Sequence, residues 1–116
     1  ILAGEAGKEV SSFSSTFNVS FVMPKKTSLS ENYPNPFNPS TTIKYELSKA
    51  GMVSVIIYDL KGAEVTTLVN KHQEADYYNI IWNGLNSNGQ AVASGRYIVK
   101  MTAPGFSKTI TMTLLK

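Results

Sequence analysis

Over most of the chain, apolar and polar side chains change places at nearly every step. Ile43, Tyr45 and Leu47 alternate with polar neighbours in Thr42–Leu47, and Val53, Val55 and Ile57 punctuate Met52–Tyr58. Tyr78, Ile80 and Trp82 form a further set. Arg96–Thr102 places Tyr97, Val99 and Met101 on one side. Ser107–Leu115 opposes Ile110, Met112 and Leu114 to Thr109, Thr111 and Thr113. A period of two is that of a strand with one dry and one wet face. Each segment is therefore predicted as a strand, with Ala63–Val69 as the partner of Met52–Tyr58. No stretch repeats at 3.6 residues, so no helix is expected.

The punctuation between these segments agrees. Asp59-Leu60-Lys61-Gly62 carries Asp at the first and Gly at the fourth position of a type I turn, with Gly62 free to take positive φ in a hairpin. Ala103-Pro104-Gly105-Phe106 has the Pro-Gly pair of a type II turn. Asn83–Gln90 is turn chemistry throughout. Pro34, Pro36 and Pro39 remove three backbone donors, which rules out a helix or a central strand there and predicts extended chain or consecutive turns. Short strands separated by regular turns predict an all-β, Greek-key antiparallel sandwich of about seven strands.

Residues 1–28 differ from the rest. Phe13, Ser15, Phe17, Val19 and Phe21 alternate as one strand, followed by the polar Met23-Pro24-Lys25-Lys26-Thr27-Ser28. Residues 1–28 are read as the tail of an upstream domain, or an extra edge strand, plus a linker. Residues 29–116 are read as one sandwich domain. Because the chain opens at Ile1 with neither an initiator Met nor a signal-peptide pattern, it is expected to be a piece of a longer protein.

Composition narrows the function. The 116 residues are 42% hydrophobic, enough for one core, and only 16% charged. The net charge of +3 is scattered, and the one doublet, Lys25-Lys26, lies in the linker; a nucleic-acid interface concentrates its charge on one face, so none is expected. The absence of cysteine excludes a disulfide framework, a thiol nucleophile and thiolate metal sites. No apolar run approaches the roughly 20 residues of a membrane span.

Enzyme chemistry lacks its parts, and neither catalysis nor a cofactor is expected. The single histidine, His72, sits among Asn70, Lys71, Gln73 and Glu74 in an expected exposed connection, without the oriented partner a general base needs. Glu74 and Asp76 are the only carboxylates close in sequence. Asn86-Ser87-Asn88-Gly89 spaces oxygen donors like half a calcium loop, but with amides instead of carboxylates, so a turn is expected and no metal. The alternative is a carbohydrate-binding or spacer β-sandwich module of a secreted multidomain hydrolase: of the aromatics, Trp82 and Tyr97 are in phase with aliphatic core positions, which leaves Tyr33, Phe37 and Tyr77 to face solvent.

The motifs also carry a resemblance. Leu29–Ile43 with its Pro34-Asn35-Pro36 opening, Tyr58-Asp59-x-x-Gly62, Trp82-Asn83-Gly84, Gly89 and Ser94-Gly95-x-Tyr97 together resemble the type A C-terminal sorting domain of bacterial type IX secretion cargo. The chain has Asn83 where that family usually has Asp. The Ig-like domain of the flagellar hook-capping protein shares the Tyr-Asp-x-x-Gly and Trp-x-Gly features, and the Pro-Asn-Pro opening favours the sorting family. The resemblance implies an immunoglobulin-like or fibronectin III-like sandwich that serves as a non-catalytic sorting signal recognised by the type IX outer-membrane translocon. It also implies removal by a sortase-like protease, and passage through the periplasm to the cell surface or beyond. By the same resemblance the recognition candidates are Gly95, Tyr97, Lys108 and Lys116. The expected mode of recognition is strand addition to the last hairpin, or contact with its hydroxyl and lysine face.

Overall fold

A computed structural model describes residues 23–116; the predicted strand over Phe13–Phe21 lies outside them. The predicted alternation becomes seven antiparallel strands: β1 (Ser28–Leu29), β2 (Thr41–Leu47), β3 (Gly51–Asp59), β4 (Glu64–Gln73), β5 (Asp76–Trp82), β6 (Gly95–Ala103) and β7 (Phe106–Leu114). They form a three-stranded sheet, β1-β2-β5, and a four-stranded sheet, β4-β3-β6-β7. The chain crosses between sheets from β2 to β3, β4 to β5 and β5 to β6, which makes an Ig-like sandwich. No helix occurs among the described residues.

The apolar sets chosen by period meet in one core. Ile43, Tyr45, Leu47 and Trp82 from the smaller sheet pack against Val53, Val55, Ile57, Tyr97, Val99, Met101, Ile110, Met112 and Leu114 from the larger one. Their partners across each pleat stay wet, as alternation requires.

Both predicted turns form. In the β3–β4 turn, Gly62 N–H donates to the Asp59 carbonyl at 3.0 Å, and Asp59 Oδ1 accepts from the N–H of Lys61 at 2.9 Å and of Ala63 at 3.0 Å. Gly62 has φ +87°, a conformation in which any Cβ is strained.

Three local expectations are corrected. His72 lies inside β4 rather than in a connection, opposite Met52; ladder bonds to β3 outweigh the polar composition of Asn70–Gln73, while the side chain stays exposed. The segment read as linker is already docked at its end, because Ser28 pairs with Glu46 and Thr27 Oγ1 accepts the Ser48 N–H at 3.1 Å. Phe37, expected to face solvent, is 2% exposed. The prolines around it turn the chain so that its ring reaches Trp82, 5.6 Å between centroids.

Candidate recognition surface

The sequence motifs, distant along the chain, converge at one end of the sandwich. Trp82 is 2% exposed and stands between Phe37 and Tyr97, whose ring meets it edge-on at 5.3 Å. Its Nε1–H donates to the Leu85 carbonyl at 2.9 Å, so the indole is both buried and satisfied. The Tyr97 hydroxyl donates to the Ala93 carbonyl at 2.6 Å, four residues upstream, the arrangement of a tyrosine corner. Tyr97 also pairs with Asp59 across β6 and β3, which joins the Tyr58-Asp59 turn to the cluster. Burial, and then the nearby Asp59 charge, push the Tyr97 hydroxyl above its ordinary pKa.

Gly84, at φ +73°, lets the chain pass the 34–39 segment closely: a Cβ there would lie 3.1 Å from the Pro39 carbonyl oxygen. Beside it Asn83 Oδ1 accepts the Ser40 hydroxyl at 2.9 Å, a bond that an Asp at this position would also accept.

The proline-rich segment does a specific job. Pro34, Asn35 and Pro36 are exposed, yet they lead the chain along the outer edge of β7. Phe37 forms a parallel bridge with Leu114: its N–H donates to the Thr113 carbonyl at 2.9 Å, and its carbonyl accepts the Leu115 N–H at 3.0 Å. Asn35 Oδ1 accepts the Thr113 N–H at 3.0 Å. Prolines suit such a place, since an outward-facing position needs no donor. Along β7, Ser107, Thr109 and Thr111 pair with β6 at the positions whose own backbone groups point to the open edge.

The four recognition candidates do not form one patch. Gly95 opens β6 opposite Leu114. Next to it the Lys116 N–H donates to Ser94 Oγ at 3.0 Å, a tether that residue types alone do not reveal. Tyr97 is buried beneath. Lys108 lies near the other end of β7, eight positions from Lys116 and about 25 Å away at roughly 3.3 Å per residue. Its Nζ donates to the Leu29 carbonyl at 3.0 Å, so the cation clasps β1 to the larger sheet.

The loop that resembled half a calcium site spends its oxygens internally. Asn86 Oδ1 accepts the N–H groups of Asn88 at 2.9 Å and Gln90 at 3.0 Å. No cluster of three or more metal-ligating side chains occurs among the described residues. The same loop packs on β4, where both the N–H and the hydroxyl of Ser87 donate to the Val65 carbonyl, at 3.0 and 3.1 Å.

Two solved structures share this fold. PorZ of Porphyromonas gingivalis, an essential bacterial surface component of the type-IX secretion system, superposes with a TM-score of 0.52 at 28% identity over 78% of this chain. Latent PorU from the same organism superposes with a TM-score of 0.60 at 21% identity over 73% of this chain. The chain spans only 11% of the first and 9% of the second. No curated protein matches it. The family model of the FlgD Ig-like domain matches residues 37–105, from the buried Phe37 through the Asp59 turn, Trp82, Gly84 and Tyr97 to the last hairpin. That match covers more than half of the residues, and the chain belongs to the FlgD Ig-like domain family.

Proposed function

We propose that this domain is a non-catalytic sorting module of type IX secretion, which presents its covalently attached cargo to the outer-membrane translocon and is then cut away by a sortase-like protease at the cell surface. The 28% identity to part of PorZ, a component of that system, supports the reading. So do the Pro34-Asn35-Pro36 opening and the Ser94-Gly95-x-Tyr97 strand. The observation that carries the mechanism is the state of the β7 edge. Asn35 and Phe37 occupy its end at Thr113–Leu115, and the stretch from Ser107 to Thr111 keeps outward-facing backbone groups beneath a hydroxyl-bearing face. On β7, strand addition is thereby confined to this stretch, with Lys108 held back by Leu29 and Lys116 beside the covered end.

Deleting Ser107–Lys116 is a poor test, because it also removes Ile110, Met112 and Leu114 from the core. Surface changes are sharper. The 116-residue chain is fused behind a reporter in a type IX-competent host, with Thr109→Glu/Thr111→Glu and Lys116→Glu variants whose folding is checked by circular dichroism. Export of the parent fusion and periplasmic retention of a folded β7 variant support the proposal; a parent that stays inside would overturn it.

The carbohydrate reading loses ground. With Trp82 and Phe37 both 2% exposed, the aromatics more than half exposed among the described residues are Tyr33 and Tyr77, which flank β2 at Thr42 and Glu46, about 13 Å apart along the strand.

A further inference from the structure

A β-sandwich has four sheet edges, and exposed edges invite unintended pairing unless they are shortened, bulged, charged or covered. Three edges here are covered, bulged or shortened over part of their length. At the β7 edge the Asn35–Phe37 segment covers the end of the strand. The β4 edge is interrupted by two register shifts against β3, between Val55/Ile56 and Ile57/Tyr58, and Ser87 caps it at Val65. On the β1 side, the ordered strand is two residues long, and Tyr33 takes both backbone bonds of Thr42 beyond it, at 3.0 and 2.9 Å.

The fourth edge is β5, Asp76-Tyr77-Tyr78-Asn79-Ile80-Ile81-Trp82. It holds no Pro, Gly, Lys or Arg, and its one charge is at the first position. Its ladder fixes which groups face outward. Thr42 and Lys44 of β2 spend their backbone groups on the β1 side, through Tyr33 and Ser30. The odd-numbered residues of β2 therefore serve β5, bonding Trp82, Ile80, Tyr78 and Asp76. The backbone groups of Tyr77, Asn79 and Ile81 point away from the sheet. Among the described residues, the bond that reaches them is a local one, from the Tyr77 N–H to Asp76 Oδ1 at 2.8 Å.

We infer that this edge is a self-association surface, at which two copies of the chain pair β5 to β5 in antiparallel register about a two-fold axis through Asn79. The outward set is symmetric about Asn79, so the axis sets Tyr77 opposite Ile81 of the second copy and Asn79 opposite Asn79. Every outward donor then meets an outward acceptor, once Tyr77 exchanges its local bond. The side chains agree. Tyr77 is 53% exposed and Ile81 59%, and across the axis they form two aromatic–β-branched pairs of the kind that stabilise sheets. Charge allows the approach. Lys44 is the cation beside Asn79, and the two copies of Lys44 stand three strand spacings apart, about 14 Å, beyond the screening length of roughly 8 Å in physiological salt. The interface is isologous and closes at a dimer, with a continuous sheet through both copies.

Sedimentation equilibrium of the 116-residue chain tests this, together with Asn79→Pro, which deletes an outward donor, and Ile81→Lys, which adds the missing edge charge. Asn79→Cys supplies an independent measurement: opposed residues in a hydrogen-bonded pair lie about 5.5 Å apart between Cα atoms, within disulfide reach. The chain has no native cysteine to confuse the readout. A concentration-dependent dimer whose dissociation constant rises tenfold or more in a folded edge variant is the expected result. Rapid oxidation of Asn79→Cys to a covalent dimer, with Lys44→Cys staying monomeric, is expected as well. A monomer at all concentrations overturns the inference, and so does a dimer that survives both edge substitutions. Amide exchange separates the remaining occupant: protection of Asn79 and Ile81 that does not change on dilution places another part of the same chain on the edge and also overturns it.

Discussion

Asn35 Oδ1 accepts the Thr113 backbone N–H at 3.0 Å across 78 residues of chain. A side-chain amide here fills the place of a ladder bond, next to the one true bridge between Phe37 and Leu114. Asn35→Ala is expected to lower stability by about 1 kcal/mol, the usual worth of such a bond. It should also speed amide exchange at Thr113 more than at Met112, whose N–H faces β6. Equal acceleration at both would mean that the whole strand loosened.

Gly62 and Gly84 both have positive φ, but only Gly84 is crowded: a Cβ at position 84 would stand 3.1 Å from the Pro39 carbonyl oxygen, whereas one at position 62 would meet nothing within 4 Å. Gly62→Ala should cost about 1–2 kcal/mol for conformation alone. Gly84→Ala should cost more, because the 34–39 segment must also shift. Denaturant midpoints of the two variants rank them; an equal loss would show that the segment yields freely.

Trp82 anchors the aromatic cluster. Trp82→Ala is expected to cost about 3–5 kcal/mol, as for other large core aromatics. In the parent protein its emission should be that of a dry indole, unaffected by polysaccharides. A polysaccharide that shifts or quenches it would reopen the carbohydrate reading.

Three of the six tyrosines, Tyr45, Tyr78 and Tyr97, have hydroxyl pKa values raised above the usual 10.0, in each case first by burial. For Tyr78 the charges of Asp76 and Glu74 add to this, and for Tyr97 that of Asp59. The folded state thus holds these protons more tightly than the unfolded state does. Their stabilisation is fully present below pH 10 and is lost as pH rises through the folded values. Part of the tyrosinate absorbance should appear only above pH 10, together with loss of structure. A single transition at the ordinary value would contradict the burial.

What the sequence disclosed, and what it hid, divides along a physical line. Strands whose apolar residues alternate announced themselves, and so did the turns at Asp59–Gly62 and Ala103–Phe106, where local chemistry decides the backbone. His72 was misplaced because a strand can be held by its ladder while every side chain near it is polar. Phe37 was misjudged because no period runs through the prolines, and its burial depends on Trp82 and Leu114, which are remote in sequence. The tie that holds Lys108, named only as a recognition candidate, was hidden for a similar reason: its partner is a backbone carbonyl at Leu29, which leaves no trace in residue type. The flank of β5 that no described strand pairs was equally hidden, since sequence does not say which strand ends a sheet.

The bridge between Phe37 and Leu114 also sets an order of events. Phe37 is synthesised early, but the groove that receives it exists only once Thr113–Leu115 have been made and laid beside β6. Until then the proline segment has nowhere to dock, and the indole at position 82 lacks one of its walls. A chain that stops before β7 therefore lacks the backbone ladder that holds Phe37 against Trp82.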